Sequence, residues 1–136
     1  MFRLQKVFEY RELEEQWAKE NFISRQATRM AAVDELFGIE SDRRLLLSAG
    51  ADDLAARREL EMRLAKLDDY DRAARILIHQ LEQEEEQARS EWLLKKQEKS
   101  ALEKLRDRAY VSWAEAQNRK EAAALDEWAT QRRKVA

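Results

Sequence analysis

Apolar residues recur along this chain at three- and four-residue steps, the spacing that lines one face of a helix. In the first third Val7, Tyr10, Leu13, Trp17, Ser24, Ala27 and Ala31 follow it, and from Tyr10 onward the spacing reads as a heptad seam with members of uneven size. A helix over about 3–47 is expected. The period is plainer further on: steps of seven from Leu67 meet Ala74, Leu81, Ala88, Lys95, Leu102, Ala109, Ala116 and Ala123, apolar at eight of nine positions. A second helix over about 52–134 follows. Its companion seam position, three residues on, begins with Tyr70 and Leu77 and then reads Glu84, Glu91 and Glu98. Pairing is therefore expected to be strong near the bend and weaker beyond it.

Breakers are confined to one place. Proline is absent, and the only two glycines are Gly38 and Gly50, so long runs on either side lack the residues that interrupt helices. Gly38 predicts irregularity in the stretch that follows. SAGADD, over 48–53, reads as the corner: Gly50 is free to take a positive φ, and Asp52 or Asp53 is placed to cap the next helix. The expected fold is all-α, a long antiparallel two-helix coiled-coil hairpin of residues 1–136 whose second helix is much the longer. A corner at about 48–51 makes facing residue numbers sum to about 100, because both helices rise equally. Trp17 is then expected across from Gln83 and Phe8 across from Trp92. The first helix runs out near residue 96, leaving an extension of about 60 Å at 1.5 Å per residue. Leu102, Leu105, Ala109, Trp113, Ala116 and Trp128 lie on it. Helices draw most of their stability from tertiary packing, so this stripe is expected to bind another helix, a second copy or the lumen of a ring.

Composition narrows the class. Charged residues make up 40% of the chain and apolar ones 44%, the profile of long helices rather than of a layered core. The net charge of −2 gives no global field for nucleic acid or anionic lipid. Locally the balance shifts: residues 82–91 carry five glutamates and one arginine, whereas residues 99–136 carry nine basic residues against six acidic ones. The chain then has an acidic waist and a mildly basic end, a pattern that reads either as a solvated face, the commoner case for charge runs on helices, or as a docking end. Cysteine is absent, which excludes disulfides and thiolate metal sites. No apolar run approaches a membrane span and no signal-peptide block opens the chain, so a soluble cytoplasmic protein without direct membrane insertion is expected.

Catalytic chemistry finds little support. His79 is the single histidine, and with Glu82 it offers at most two ligands where zinc needs three or four; it reads as a helix-surface or seam residue. No phosphate-cradling glycine loop, nucleophile elbow or reactive thiol is present. Carboxylate pairs such as Glu14 with Glu15 and Asp68 with Asp69 have no dry concavity to separate their pKa values. A non-enzyme without cofactors is expected. Of the four tryptophans, Trp17 and Trp92 are expected in the seam, whereas Trp113 and Trp128 fall beyond it and are interface candidates, tryptophan being enriched at binding hot spots.

FRLQKVFEYRELEEQWA at 2–18, the SAGADDLAARRELEMRLAKL junction and KSALEKLRDRAYVSWAEAQNRKEAAALDEWATQRR at 99–133 together resemble the flagellar export protein FliJ family over nearly the whole chain. The FxLQKV opening, the EKL block at 103–105 and LDEWATQRR at 125–133 carry the likeness in order and spacing. Phe8 departs from a common leucine. The resemblance implies an antiparallel coiled coil similar to the central stalk of rotary ATP synthases, acting in the flagellar type III export apparatus at the inner face of the cell membrane. Its implied partners are the hexameric export ATPase, the membrane export-gate protein and export chaperones. On that implication residues 2–10 and 102–133 are expected at the ATPase, through Trp113, Trp128, Arg132, Arg133 and Lys134. Val33, Leu36, Phe37, Leu60, Leu64 and Leu67 are expected either to close the hairpin's own core or to meet the gate or a chaperone. The stalk of a virulence injectisome and a self-associating structural coil stand as alternatives. An RNA-binding coil is disfavoured by the charge pattern.

Overall fold

The computed structural model describes residues 4–135; Phe2 and Arg3, which the sequence assigns to the docking end, lie outside the described residues. Among the described residues two helices, α1 (Gln5–Ala49) and α2 (Leu54–Val135), pack antiparallel as a hairpin, and there is no strand. The chain divides into two compact units, one of Gln16–Leu93 and one of Met1–Glu15 with Leu94–Ala136.

The corner belongs to the first unit. Gly50 takes a φ of 68°, the only positive φ among the described residues, and it ends α1 at the residue type that bears this conformation without a Cβ penalty. Asp53 then opens α2: its Oδ1 accepts the Ala56 N–H at 2.6 Å while its carbonyl accepts the Arg57 N–H at 3.0 Å. The side chain thereby satisfies one of the donors that a helix start leaves unpaired, and the carbonyl accepts the first bond of the helix itself. The irregularity expected after Gly38 is absent, since α1 continues through it to Ala49. A helical glycine costs about 1 kcal/mol relative to alanine, and half-buried Leu36, Ile39 and Leu46 on either side, with an ion pair from Glu40 to Arg75 at 3.1 Å, hold the helix across it.

The seam of this unit consists of two rows on each helix. On α1 they are Phe22, Arg29 and Leu36, and Ala18, Arg25, Ala32, Ile39 and Leu46; on α2 they are Leu64, Asp71, Ile78, Glu85 and Trp92, and Leu60, Leu67, Ala74, Leu81 and Ala88. The α2 row stepping from Leu67 is the one its period predicts. Two seam expectations are corrected. The α1 seam lies one residue on from the Tyr10, Trp17, Ser24, Ala31 row, a rotation of about 100°, which leaves Trp17 56% exposed. The companion row on α2 lies three residues before the Leu67 row, not three after, so Tyr70 and Leu77 are exposed. The cause is visible in the contacts. Arg25 reaches Glu84 at 3.0 Å, Arg29 pairs with Glu85, and Phe22 stacks on Trp92 with ring centroids 5.5 Å apart. Charged residues occupy seam positions that an apolar count assigns to the surface.

Register departs from expectation as well. Contacting residue numbers add to between 109 and 115, as in Arg25 with Glu84, Arg43 with Asp68 and Glu40 with Arg75, rather than to about 100. Phe22, not Phe8, therefore meets Trp92. Two effects add. Four non-helical residues separate Ala49 from Leu54, which moves the midpoint of the corner toward α2. Helical side chains also lean toward their own N-terminus, over the preceding turn, so in an antiparallel pair each contact joins residues of higher number than those level with each other.

In the second unit, residues 4–15 lie along α2 from Leu94. Phe8 is 5% exposed, the one large side chain buried there among the described residues, and the Arg106 guanidinium sits 4.5 Å from its ring centroid. Half-burial on α2 continues through Lys95, Glu98, Lys99 and Leu102 to Arg106, ten positions past the end of pairing that the sequence suggests. Beyond it Tyr110, Val111, Trp113, Leu125 and Trp128 are all exposed.

Candidate functional site

The C-terminal candidates occupy the part of α2 that follows Arg106. Trp113 and Trp128 are both more than half exposed. Fifteen residues apart, they stand about 22 Å along the helix and within about 60° of one another around it. Each has a local companion: the Tyr110 ring lies 6.0 Å from Trp113, and the Arg132 guanidinium lies 5.0 Å from the Trp128 ring centroid. Arg132, Arg133 and Lys134 form the last turn, where cations meet the negative end of the helix dipole. Tyr110 with Trp113 and Trp128 with Arg132 form an exposed aromatic and cationic surface, while Arg133 and Lys134 fan round the last turn at about 100° per residue. Such a face suits an acidic, partly apolar surface on another protein.

The hairpin-end candidates separate into two groups. Val33, Leu36, Leu60, Leu64 and Leu67 are half-buried, and of these Leu36, Leu60, Leu64 and Leu67 sit in the seam rows. Phe37 is 61% exposed. An open groove nearby is lined by Asp42, Leu45, Leu46, Arg63, Lys66, Leu67 and Tyr70, and Leu67 is the single member of the candidate set that reaches it. Leu45 and Tyr70 are exposed apolar groups that the sequence reading did not single out for binding. Their signal was available, since each stands one position from a seam residue, Leu46 or Asp71, and so borders the helix pair.

The acidic run at 82–91 is more than a solvated face, because Glu84 and Glu85 are the partners of Arg25 and Arg29. A tighter charge cluster lies in the other unit. Arg11 bonds Glu14 at 3.0 Å and Glu98 at 2.9 Å, and Lys95 reaches Glu14 at 3.2 Å and Glu98 at 3.7 Å. Partial burial alone would raise the Glu14 carboxyl, but hydrogen bonds from Lys95, Arg11 and Tyr10 outweigh it and hold the group below 4.5. The hydrogen bond to Glu14 raises the Lys95 ammonium above 10.5. The signs give a window. A depressed carboxylate contributes stability above its unfolded pKa that is lost as pH falls through the folded one; a raised ammonium contributes below its unfolded pKa and loses that as pH climbs through the folded one. The cluster is therefore at full strength between the mid-4 range and about pH 10. Hydrogen-exchange protection of residues 5–15, taken relative to the intrinsic rate at each pH, should be greatest inside that window and fall on both sides, whereas in Glu14→Gln the acidic limb should flatten.

His79 is exposed, with Gln83 at 3.4 Å, and among the described residues no group of three His, Asp or Glu could hold a metal ion. No described helix is long and apolar enough to cross a membrane. What the molecule offers is faces for other macromolecules.

Comparison with known proteins agrees with this character. The model of the family described as Flagellar FliJ protein matches residues 1–134. No curated protein and no solved structure matches the chain.

Proposed function

The chain belongs to the flagellar FliJ protein family, whose members are components of flagellar type III export, and on that premise we propose that it is the coiled-coil stalk of the export ATPase. In this reading it is a cytoplasmic, non-catalytic protein held peripherally at the inner face of the membrane at the flagellar base. The α2 segment after Arg106 docks in the pore of the hexameric ATPase and promotes ring assembly, while the hairpin end meets the export-gate protein or an export chaperone. The observation that carries the reading is the exposed aromatic and cationic face of Trp113, Trp128, Arg132, Arg133 and Lys134 on a helix that has left its partner.

Leu45, Leu47, Leu54 and Met62 are exposed apolar groups around the corner, with Phe37 and Tyr70 further along the hairpin, which supports a second contact there; the half-buried leucines serve the hairpin itself. The flagellar description of the matching family favours this setting over an injectisome. The test is binding of purified export ATPase to a variant carrying Trp128→Ala with Arg132, Arg133 and Lys134 reversed to glutamate. Unchanged binding would overturn the assignment.

A further inference from the structure

The α2 segment beyond Arg106 repeats the design of the seam that precedes it. In the established seam, one α2 row holds large or charged residues that meet the same row of α1 in three kinds of contact: aromatic on aromatic in Phe22 with Trp92, cation on carboxylate in Arg29 with Glu85, and cation on aromatic in Phe8 with Arg106. The residue numbers of each of these pairs add to 114. The other α2 row includes the small residues Ala74 and Ala88. Carried past Arg106 in steps of seven, the first row reads Trp113, Lys120, Glu127 and Lys134, and the second reads Ala109, Ala116, Ala123 and Thr130. Trp113 is 54% exposed, and Lys120, Glu127 and Lys134 are exposed with no ion pair among the described residues.

We propose that in the free protein a second copy of this chain covers the segment, its α2 lying antiparallel on a two-fold axis between positions 123 and 124. That axis places Lys120 of each copy at Glu127 of the other, and Trp113 at Lys134. It repeats the ion pair and the cation on aromatic of the established seam at the same row, with Ala116 and Ala123 allowing close approach. The flanking row adds Arg119 against Asp126. Two-fold symmetry makes every pair occur twice, and two helices that each lack a partner acquire one. A foreign helix gains none of this built-in complementarity, since the charge order Lys, Glu read one way is Glu, Lys read the other. The same pairing would hide Trp113 and Lys134, so a dimer is a storage form from which the export ATPase must draw monomer. The inference stands apart from the ATPase reading because its test contains only this chain.

Sedimentation equilibrium of the full chain at low ionic strength should show a monomer and dimer in exchange, the dimer weakening as salt is added. Lys120→Glu sets like charges together twice and should weaken dimerisation by at least ~10-fold, the equivalent of about 1.4 kcal/mol. The exchange variant Lys120→Glu with Glu127→Lys should recover the dimer to within about 3-fold of the native chain. Both positions are exposed, and circular dichroism should report equal helix content. A chain that stays monomeric to millimolar concentration overturns the proposal. So does a dimer indifferent to Lys120→Glu, which would assign association to another face such as exposed Ile23, Met30 and Phe37, and so does an exchange variant no better than the single one.

Discussion

Replacing Phe8 with alanine is expected to cost about 3 kcal/mol of stability, the lower part of the range for emptying an aromatic site, and to release the start of α1 from α2. Phe8 is the one large buried side chain in its unit, and Arg106 covers its ring. The described part of α1 in that unit is the end of a helix already nucleated by the residues after it, so Phe8 governs its docking against α2 rather than whether it can be helical at all. Removing the ring deletes the apolar burial and also the cation contact, worth about 1 kcal/mol at a partly exposed site. Urea unfolding should show a lowered midpoint, and hydrogen exchange should quicken over residues 5–15 while residues around Leu81 keep their protection. Phe8→Leu keeps most of the apolar burial and should lose only the cation contribution. A change below 1 kcal/mol in the alanine variant would mean that the ion pairs of Arg11 and Lys95, not Phe8, hold the helix start.

The corner was legible in the sequence because its chemistry is local. Gly50 and Asp53 act within their own turn, and what they require of φ and of an N-cap oxygen is independent of the rest of the chain. The α2 row from Leu67 was legible because one helix face keeps a strict period. The phase of α1 was not. That helix carries a second apolar stripe with Tyr10 and Trp17 exposed, and its true seam includes Arg25 and Arg29, whose placement is explained only by Glu84 and Glu85 on the other helix. Register failed for a related reason: the lean of side chains shifts every contact in one direction, and a count of helical rise omits it. Gly38 misled because a lone helical glycine can be held by its neighbours. The exposure of Trp113 and Trp128 was legible, since both lie past the paired region whether facing numbers add to about 100 or to between 109 and 115, whereas the groove beside Leu45 and Tyr70 depends on the observed register.

The second large effect is expected at that end. A variant with Trp128→Ala and Arg132, Arg133 and Lys134 reversed to glutamate should lose at least ~30-fold in affinity for the export ATPase, because a tryptophan anchor at an interface contributes about 2 kcal/mol or more. Charge reversal acts in the same direction by turning attraction to an acidic surface into repulsion. Adding Trp113→Ala should deepen the loss. Each of these residues is exposed, so the free protein should keep its helix content, and the unfolding midpoint should move little. The reversed charges oppose the helix dipole and fray the last turn by a few tenths of a kcal/mol to about 1 kcal/mol, far less than the binding effect. Full binding by the variant with Trp113 intact but not without it would narrow the site to the part of α2 near Tyr110.

We propose that this chain is the stalk of the export ATPase. The most direct test is ATP hydrolysis by the purified flagellar export ATPase of the same organism, titrated with this protein while the oligomeric state of both is followed. Stimulation that rises together with hexamer formation, one chain entering each ring, is the predicted result. Hydrolysis and assembly that stay flat at every ratio, with no complex formed, would contradict it.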